Sequence, residues 1–468
     1  MRLSKAGIKT ARIKEVDSNY PAQDILLQSG QLVQYGSGIY AYNHVPLKVK
    51  QRIEEILRQE LGKKDCVEVE LPTLQSRELW EKSGRWDRYV EEGTMIVVKT
   101  RNGEYGLAPT AEEAVVDFAR EQIPSYKKLP VIYFQIGEKY RDEMRKRGCL
   151  LRGKTFPMMD AYSFNSGEED LQESYNTVKD AYRKVFEQLG LDVMPVAAES
   201  GAIGGDKSEE FMVLSDIGED TVLVDEEQKR GFNKEIEERP DYKEYLKQEY
   251  GIEDIKQLKK KKAIELGHIF QLGTKYSKTM EANYIDEKGQ QQPFYMGCYG
   301  IGVSRTLATI YEKSLIRDER GNLGISLPVN LAPYLLQIIS KGEEKGKKAE
   351  TLYQVLKEHG IETIIDDREE GSIGSKIRDC QILGTPYMGI LGNRTRDDEI
   401  EVQVSATGEK VVLKMAQLAS ALKKLDRDRR TNPKARLEDY WDIVQEKEKQ
   451  EDKVKEKPKE IEDDEISI

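Results

Sequence analysis

Two short stretches carry the residue types that a nucleoside triphosphate site needs. In the first, residues 140–143, Arg141 and Glu143 are two positions apart and would share one face of an extended strand. The second, residues 297–305, is rich in glycine and ends in Arg305. A planar guanidinium matches phosphate oxygens in a fork, so two converging arginines make a plausible clamp on one triphosphate. We therefore predict an ATP site built from both stretches.

Aromatic sequence follows the first stretch, after a basic hairpin that contains glycine. Phe156 is followed by the run Asp-Ala-Tyr-Ser-Phe at residues 160–164. A ring can stack on a nucleobase, while a nearby carboxylate accepts from its exocyclic amine and an arginine binds phosphate. The alternative for Arg141 and Glu143 is simple charge alternation on an exposed strand, and the aromatic run weakens it.

A hydroxyl and a carboxylate occur together at Thr110 and Glu112, just before an apolar helix. Considered alone, this turn is explained more simply as a helix N-cap with acidic residues in the first turn. A buried carboxylate beside a hydroxyl is, however, also what holds a small cationic amine. Cys298 is interpreted as a small residue lining a pocket, because no histidine lies near it in sequence to activate a thiol.

Hydrophobic periodicity places these residues on predicted elements. Helices are predicted at 46–61 and 168–189, and a further helix from 306 would put phosphate bound by Arg305 at a helix N-terminus. After Pro333, strands and helices alternate, which predicts a small α/β domain with a mixed sheet. The predicted strands are 67–71, 129–134, 222–224, 334–340, 362–365 and 387–391, and the helices of the small domain are 349–359 and 373–383.

Composition excludes several classes of protein. The 468 residues carry a net charge of -11, which argues against a surface coated uniformly for nucleic acid. Four cysteines without close spacing and three histidines favour neither a disulfide framework nor a zinc site, so no metal ligands are predicted. No apolar run approaches the roughly 18 residues of a membrane span, and no signal peptide is evident. A cytoplasmic protein with no membrane partner is expected.

Five stretches, taken in order, resemble the bacterial-type prolyl-tRNA synthetases, a family of class II aminoacyl-tRNA synthetases. The resemblance covers residues 1 to about 425, and its most specific part is the third motif at 296–306. The other stretches are the first motif at 69–86, the second at 140–164, and the segments 109–113 and 267–277. It implies an α/β protein whose α+β catalytic domain, with an antiparallel sheet, spans 1–330. An anticodon-binding α/β domain at 331–425 and a charged tail at 426–468 would follow.

The same resemblance implies roles for individual residues. Arg141 and Arg305 would be catalytic, binding the α-phosphate and the γ-phosphate while proline attacks ATP accompanied by Mg²⁺. The ATP-binding set would be Arg141, Glu143, Phe156, Gln271, Thr274 and Arg305. The proline-binding set would be Thr110, Glu112, Arg141, Glu210, His268, Cys298 and Gly300. The anticodon set would be Asp366, Asp367, Arg368 and Gln381, and residues 69–86 would form the interface of a homodimer.

The chain also departs from the family pattern. Residues 225–262, interpreted as a short charged linker, stand in place of a large editing insertion, so editing in cis is not expected and an editing protein acting in trans becomes a candidate partner. Thr155, Met159 and Gln381 replace residues usual in the family. They leave two alternatives open: a synthetase-like paralogue that loads another carrier or a special tRNA, and a non-catalytic tRNA-binding protein.

Overall fold

The computed structural model describes residues 1–8, 13, 16, 19–144, 147–198, 207–393 and 395–441, which divide between two units. The first unit is Lys9–Leu315, and the second combines Met1–Ile8 with Ile316–Ile468. The boundary therefore lies before the predicted position 330. The first residues of the chain belong to the second unit because Arg2 pairs with Ile365 as an extra bridge on its sheet.

The first unit has sixteen strands and nine α-helices among its described residues. The strands are β1 (Leu32–Gly36), β2 (Ile39–Tyr42), β3 (Val67–Glu68), β4 (Leu74–Ser76), β5 (Ile96–Thr100), β6 (Gly103–Leu107), β7 (Val131–Tyr140), β8 (Thr155–Asn165), β9 (Met194–Ala197), β10 (Lys207–Leu214), β11 (Asp220–Asp225), β12 (Arg230–Asn233), β13 (Lys259–Gly273), β14 (Asn283–Ile285), β15 (Gln291–Pro293) and β16 (Tyr295–Gly302). The helices are α1 (Pro21–Gln28), α2 (His44–Gly62), α3 (Arg77–Ser83), α4 (Trp86–Glu91), α5 (Glu112–Gln122), α6 (Glu168–Gln188), α7 (Tyr242–Tyr250), α8 (Lys275–Thr279) and α9 (Val303–Lys313).

A nine-stranded sheet forms the centre of this unit, in the order β10-β9-β12-β11-β13-β16-β8-β7-β3. Strands β7, β8, β16 and β13 pair antiparallel, as predicted. Helix α6 packs on β8, β13 and β16, and it presents an apolar stripe at helical spacing that includes Val178, Tyr182 and Val185. Helix α5 contributes Val115 and Ala119 to another apolar cluster, which includes Tyr162 of β8.

Five strands of the sheet close into a ring, because β10 pairs with β13 as well as with β9. The remaining neighbours in the ring are β9 with β12, β12 with β11, and β11 with β13. Apolar residues from four of these strands form one buried cluster: Val196, Met212, Val222, Val224 and Ala263. We call β10, β9, β12, β11 and β13 the five-stranded ring.

The prediction of a charged linker at 225–262 is wrong, because this segment is folded. It supplies β12, α7 and the start of β13, and it buries an apolar cluster with Leu223. The other members are Phe232, Ile236, Leu246, Ile252 and Leu258. These residues are spread singly among charged neighbours, so no short window of the sequence is apolar, but the chain fold brings them together.

The second unit has a five-stranded sheet in the order β20-β19-β21-β22-β23, preceded by the hairpin β17–β18. Its strands are β17 (Leu315–Arg317), β18 (Leu323–Ile325), β19 (Leu336–Ser340), β20 (Thr363–Asp366), β21 (Tyr387–Leu391), β22 (Glu399–Val404) and β23 (Lys410–Lys414), and its helices are α10 (Glu343–Glu358), α11 (Ile373–Leu383) and α12 (Met415–Asp428). Strands β20, β19 and β21 are parallel while β22 and β23 are antiparallel, so the sheet is mixed, as predicted.

The predicted charged tail begins too early. Residues 429–441 follow α12 and pack against the core of the second unit, where Ala435, Leu437 and Trp441 are buried. The backbone N–H of Leu437 donates to the hydroxyl of Tyr387 at 2.8 Å. The rest of the predicted tail, residues 442–468, lies outside the described residues. In the part of the chain that is described, no helix has both the length and the apolar character that crossing a membrane requires.

Candidate active site

Three adjacent strands bring predicted site residues side by side. His268 of β13 lies opposite Gly300 of β16, which in turn lies opposite Asp160 of β8. Two positions along β16, Cys298 lies opposite Tyr162. Paired residues and residues two apart share a face of a sheet, so the side chains of His268, Asp160, Cys298 and Tyr162 point to the same side, over Gly300.

Glu112 has three polar side-chain partners on this side of the sheet. It begins α5, is fully buried, and accepts from Thr110 Oγ1 at 2.6 Å and from Arg85 Nη1 at 3.1 Å. The thiol of Cys298 lies 3.3 Å from its other oxygen. The helix-capping interpretation of Thr110 does not hold, because Ala111 occupies the N-cap position and the hydroxyl bonds to a side chain.

Arg85 is shared between two buried carboxylates. Its Nη1 lies 3.1 Å from Glu112 and 3.1 Å from Glu113, and Glu113 also accepts from Ser83 Oγ at 2.6 Å. Burial would raise the pKa of Glu112, but the charge of Arg85 and the hydrogen bond from Thr110 hold it below its usual value. Burial and the charge of Glu112 raise the pKa of Glu113. The pocket therefore keeps an anion at Glu112, which suits a cationic ligand.

Cys298 is a hydrogen-bond donor here and not a nucleophile. Burial and the neighbouring charge of Glu112 raise the pKa of its thiol well above the usual value. A thiol that stays protonated at neutral pH is a weak nucleophile.

A second buried pair supports the turn that carries Thr110. Lys139 Nζ lies 2.6 Å from Asp160, and the same carboxylate accepts from Tyr162 Oη at 3.0 Å. Tyr162 Oη in turn accepts from the backbone N–H of Ala111 at 3.1 Å. The central strands thus hold the entry to α5 in place through a chain of hydrogen bonds.

Arg141 does not lie on a strand, contrary to the prediction. Strand β7 ends at Tyr140, and the backbone N–H of Glu143 donates to the carbonyl of Arg141 at 2.7 Å in a tight turn. Arg141 Nε donates to the Pro109 carbonyl at 3.2 Å, and its guanidinium lies 5.2 Å from the centre of the Phe156 ring. The sequence suggested that an arginine and an aromatic ring lie together at a nucleobase site, and Arg141 and Phe156 are neighbours in the structure.

Arg305 lies in the first turn of α9 and faces Glu265. Its Nη1 is 2.6 Å from Glu265 Oε2 and 2.9 Å from the Glu265 carbonyl, while Nε donates to Leu151 at 3.1 Å. Although burial opposes it, the charge of Glu265 raises the pKa of Arg305. Burial lowers the pKa of Arg141, and the positive charge of Arg305 adds to the effect.

His268 joins a polar cluster at one end of the five-stranded ring. Its Nε2 lies 2.6 Å from Ser208 Oγ, and its Nδ1 lies 3.3 Å from Glu265 and 3.7 Å from Glu210. Burial and the charge of Glu265 raise the pKa of Glu210 to about 8. One ligand atom each from Glu210, Glu265 and His268 lie within 4.8 Å of one another, which is a spacing that a metal ion can bridge.

Three predicted ATP residues are placed apart from these contacts. Glu143 Oε2 lies 3.9 Å from Arg152 Nε, and Gln271 Nε2 donates to Gln172 Oε1 at 2.9 Å. Thr274 precedes α8 and its carbonyl accepts from Ser277.

The predicted anticodon residues are largely committed to internal contacts of the second unit. The buried Asp366 accepts two hydrogen bonds from Arg368, at 2.8 and 2.6 Å. Asp367 accepts from the backbone N–H and the hydroxyl of Ser4, at 2.9 and 2.7 Å. Gln381 is 6% exposed, so its amide is not presented to a base.

Three residues of this region, Arg85, Glu113 and Glu265, carry no signal in the sequence for the contacts that they make here. Arg85 stood only among the residues expected at a dimer interface, and no local pattern links it to α5. Glu265 is three positions from His268, which on a regular strand would place the two on opposite faces. A bulge opposite Phe211 and Met212, which pair with Gly267 and Glu265, shifts the register and brings them together.

Comparison with known families matches both units. The model of the tRNA synthetase class II core domain (G, H, P, S and T) matches residues 96–314, and that of the anticodon binding domain matches residues 336–425. A prolyl-tRNA synthetase of Cryptosporidium parvum, solved with L-proline and AMP, superposes with a TM-score of 0.68 at 19% identity, over 96% of this chain and 81% of that one. The predicted fold class is confirmed.

Relatives with named activities cover most of the chain. A proline–tRNA ligase of Sulfurimonas denitrificans is 38% identical over 428 residues, covering 88% of this chain and 96% of that protein. A proline–tRNA ligase of Wolbachia is 37% identical over 422 residues, with 87% and 96% covered. That of Bacillus subtilis is 31% identical over 571 positions, with 91% and 100% covered. The chain therefore belongs to the proline–tRNA ligase family of class II aminoacyl-tRNA synthetases.

Proposed function

We propose that the protein ligates proline to proline tRNA, using ATP and passing through prolyl-adenylate. The observation that carries the proposal is Glu112, a buried carboxylate with the hydroxyl of Thr110 at 2.6 Å and the thiol of Cys298 at 3.3 Å. It can accept a secondary ammonium in a pocket near two arginines. The names of the relatives support the same reaction.

In the proposed reaction, the ammonium of proline binds Glu112, and the carboxylate of proline faces Arg141. A carboxylate oxygen attacks the α-phosphorus of ATP, the bond to the β-phosphate oxygen breaks, and pyrophosphate leaves. The terminal ribose hydroxyl of tRNA then attacks the carbonyl of prolyl-adenylate and releases AMP. Positioning and charge stabilisation by Arg141 and Arg305 carry the first step, and no base is needed because the nucleophile is already an anion.

The nucleotide would bind along the two arginines. Phe156 would stack on adenine with Glu143 near its amine, Gln271 and Thr274 would line the ribose region, and Arg305 would take the γ-phosphate. Cleft residues Arg152, Glu219 and Asp220 surround Arg305 and Glu265. The carboxylate oxygens of this cleft suit Mg²⁺, which prefers oxygen ligands and reaches such sites with substrate phosphates. When ATP binds, its phosphate would take the place of the Glu265 carboxylate beside Arg305. Glu265 would then be available as a ligand for Mg²⁺, which would offset the negative charge of the triphosphate.

We also propose a homodimer that uses residues 69–86. Strand β3 is a two-residue edge of the large sheet, and two apolar side chains are exposed here: Val67, just before this region, at 44%, and Leu74, within it, at 45%. A groove of about 670 Å³ runs beside it, between residues 68–73 and 135–140. Sedimentation analysis of the purified chain tests this proposal. The cytoplasm, where tRNA is charged, is the proposed location.

The second unit is proposed to bind the anticodon of tRNA, in keeping with its family match. Asp366 and Asp379 hold Arg368, with Arg368 Nη2 at 2.6 and 2.7 Å from the two carboxylates. Of the predicted anticodon residues, Arg368 is the one proposed to contact RNA. Asp367 and Gln381 would contribute only by stabilising the structure of the second unit.

Editing is proposed to be absent from this chain. The match to the Bacillus subtilis relative spans 571 positions, more than the 468 residues here, whereas the Sulfurimonas relative aligns over 428. The segment 225–262 folds against the five-stranded ring and takes the place of a separate domain. A pocket distinguishes proline from alanine by apolar contacts worth about 1–3 kcal/mol per methylene, so a partner that edits in trans is proposed.

The decisive experiment is ATP–pyrophosphate exchange with proline, alanine and cysteine, followed by charging of proline tRNA. We expect exchange with proline and charging of the tRNA. Exchange without charging of any proline tRNA would favour a paralogue that loads another carrier or a special tRNA. Binding of tRNA without any ATP binding or exchange would instead indicate a non-catalytic tRNA-binding protein.

A further inference from the structure

Asn233 links the folded segment 225–262 to the candidate active site. It is the last residue of β12, lies opposite Val222 of β11, and is 7% exposed. Its Nδ2 donates to Glu210 Oε2 at 3.0 Å. Glu210 sits on β10 opposite His268, so the contact crosses the five-stranded ring.

The orientation of the Asn233 amide is determined by its second contact. Its Oδ1 accepts from the backbone N–H of Glu235 at 3.2 Å and so caps the short helix Lys234–Glu238. An amide has donors only on nitrogen and acceptors only on oxygen. Flipping Asn233 would turn its NH2 group toward the N–H of Glu235 and break that contact, so the cap keeps Nδ2 facing Glu210.

Glu210 needs such a donor because its surroundings are mostly acidic. The carboxylates of Glu265 on β13, Asp220 on β11 and Glu235 beyond β12 all disfavour its charge. On the opposite side, His268 Nδ1 lies 3.7 Å from Oε1, which is beyond ordinary hydrogen-bond length. Asn233 therefore supplies a directed contact that selects one orientation of the carboxyl group.

We propose that Asn233 is a positioning residue, which orients the Glu210 carboxyl in the proline pocket. The segment that replaces an editing insertion thereby contributes to amino acid binding. This inference rests on the proposed function, in which Glu210 belongs to the proline-binding residues. Asn233 itself touches neither substrate nor the reacting atoms.

Loss of the contact between Asn233 and Glu210 should weaken proline binding and leave the rate of the chemical step nearly unchanged. Misorienting one pocket carboxyl removes a hydrogen-bonded contact, and we expect the KM for proline to rise about tenfold. The KM for ATP should change less than twofold, because the arginines and Phe156 do not contact Asn233. The kcat of exchange should also stay within about twofold.

The test uses the full chain in proline-dependent ATP–pyrophosphate exchange. N233D is the principal variant, since its oxygen still caps Lys234–Glu238 while the donor to Glu210 is lost. N233A removes both contacts. L246A is the matched control: Leu246 is fully buried in the same folded segment but has no contact with Glu210. It should lower thermal stability without raising the KM for proline.

A double-mutant cycle with E210Q separates positioning from a structural effect. If Asn233 acts through Glu210, N233D should change the KM for proline far less in the E210Q background than in the natural chain. Additive effects, an unchanged KM in N233D, or equal changes in the KM values for proline and ATP would each overturn the inference. Absence of proline exchange in the natural chain would instead refute the proposed function.

Discussion

Arg85 and Glu112, which are 27 positions apart in the sequence, form a buried ion pair with 3.1 Å between Nη1 and Oε2. The arginine also contacts Glu113, so it balances two buried carboxylates. Breaking a buried pair by removing one partner leaves an uncompensated charge.

We therefore expect R85L to destabilise the protein by about 3–5 kcal/mol. Urea unfolding followed by circular dichroism measures the change. The control is R88A, since Arg88 lies one turn away in α4 but is 54% exposed and pairs with Glu92 on the surface. A loss of stability in R88A as large as that in R85L would contradict the role given to the buried pair.

Replacement of Glu112 tests recognition of the proline ammonium. E112Q keeps the shape and the contact with Thr110 but removes the negative charge, so the KM for proline should rise by about 100-fold or more. The KM for ATP should hardly change. E121Q, on the exposed surface of the same helix, should behave like the natural chain. Proline-dependent exchange measures the KM values for proline and ATP in each variant. A KM for proline in E112Q equal to that of the natural chain would rule out Glu112 as the partner of the ammonium.

Phe156 lies under the Arg141 guanidinium, 5.2 Å from ring centre to cation. If adenine stacks on this ring, F156A should raise the KM for ATP about fivefold to tenfold, in line with about 1–1.5 kcal/mol for a ring contact. F156L keeps apolar bulk and should recover only part of the loss. Equal KM values for ATP in F156A and the natural chain would place adenine elsewhere.

Glu312 gives the protein a pH-dependent stability that is independent of the site. Burial raises its pKa from 4.5 to about 7. Between these two pKa values, Glu312 ionises in the unfolded chain but keeps its proton in the folded chain. The contribution of protonated Glu312 to the stability of the fold is therefore complete below pH 4.5 and is lost as the pH rises to 7. E312Q should therefore gain stability relative to the natural chain above pH 7, by roughly 1–2 kcal/mol.

Thermal unfolding of E312Q and the natural chain at pH 5 and pH 8 measures that difference. E121Q serves as the control, since its side chain is 73% exposed. A gain for E312Q that is the same at both pH values would show that Glu312 does not titrate between them.

The folded segment 225–262 is tested through Leu246, which is fully buried in its apolar cluster. L246A should lower the free energy of unfolding by about 2–4 kcal/mol, as other truncations of buried leucine side chains do. K247A, at an exposed neighbour in the same helix, should leave stability unchanged. Hydrogen exchange in α7 provides a second measurement, and rapid exchange throughout this helix in the natural chain would support a linker after all.

Local pattern alone predicted much of this protein. The spacing of apolar residues and the turn residues around them predicted helix 373–383 and strand 387–391 at their observed bounds. The mixed sheet was predicted from the alternation of strands and helices. Residue types and neighbours suggested a phosphate-binding role for Arg305 and left two interpretations open for Thr110 and Glu112, and all three roles stay predictions. These features depend on contacts within a few residues, which a sequence displays directly.

Only the tertiary structure decided which groups meet. Arg85 joins Glu112 across two elements, a bulge turns Glu265 toward His268 and Arg305, and ring closure carries Asn233 to Glu210. The apolar residues of 225–262 are too dispersed to be recognised until α7 and β12 bring them together. The physical reason is that long-range pairing and strand register depend on the packing of the whole sheet, whereas helix and strand periods do not.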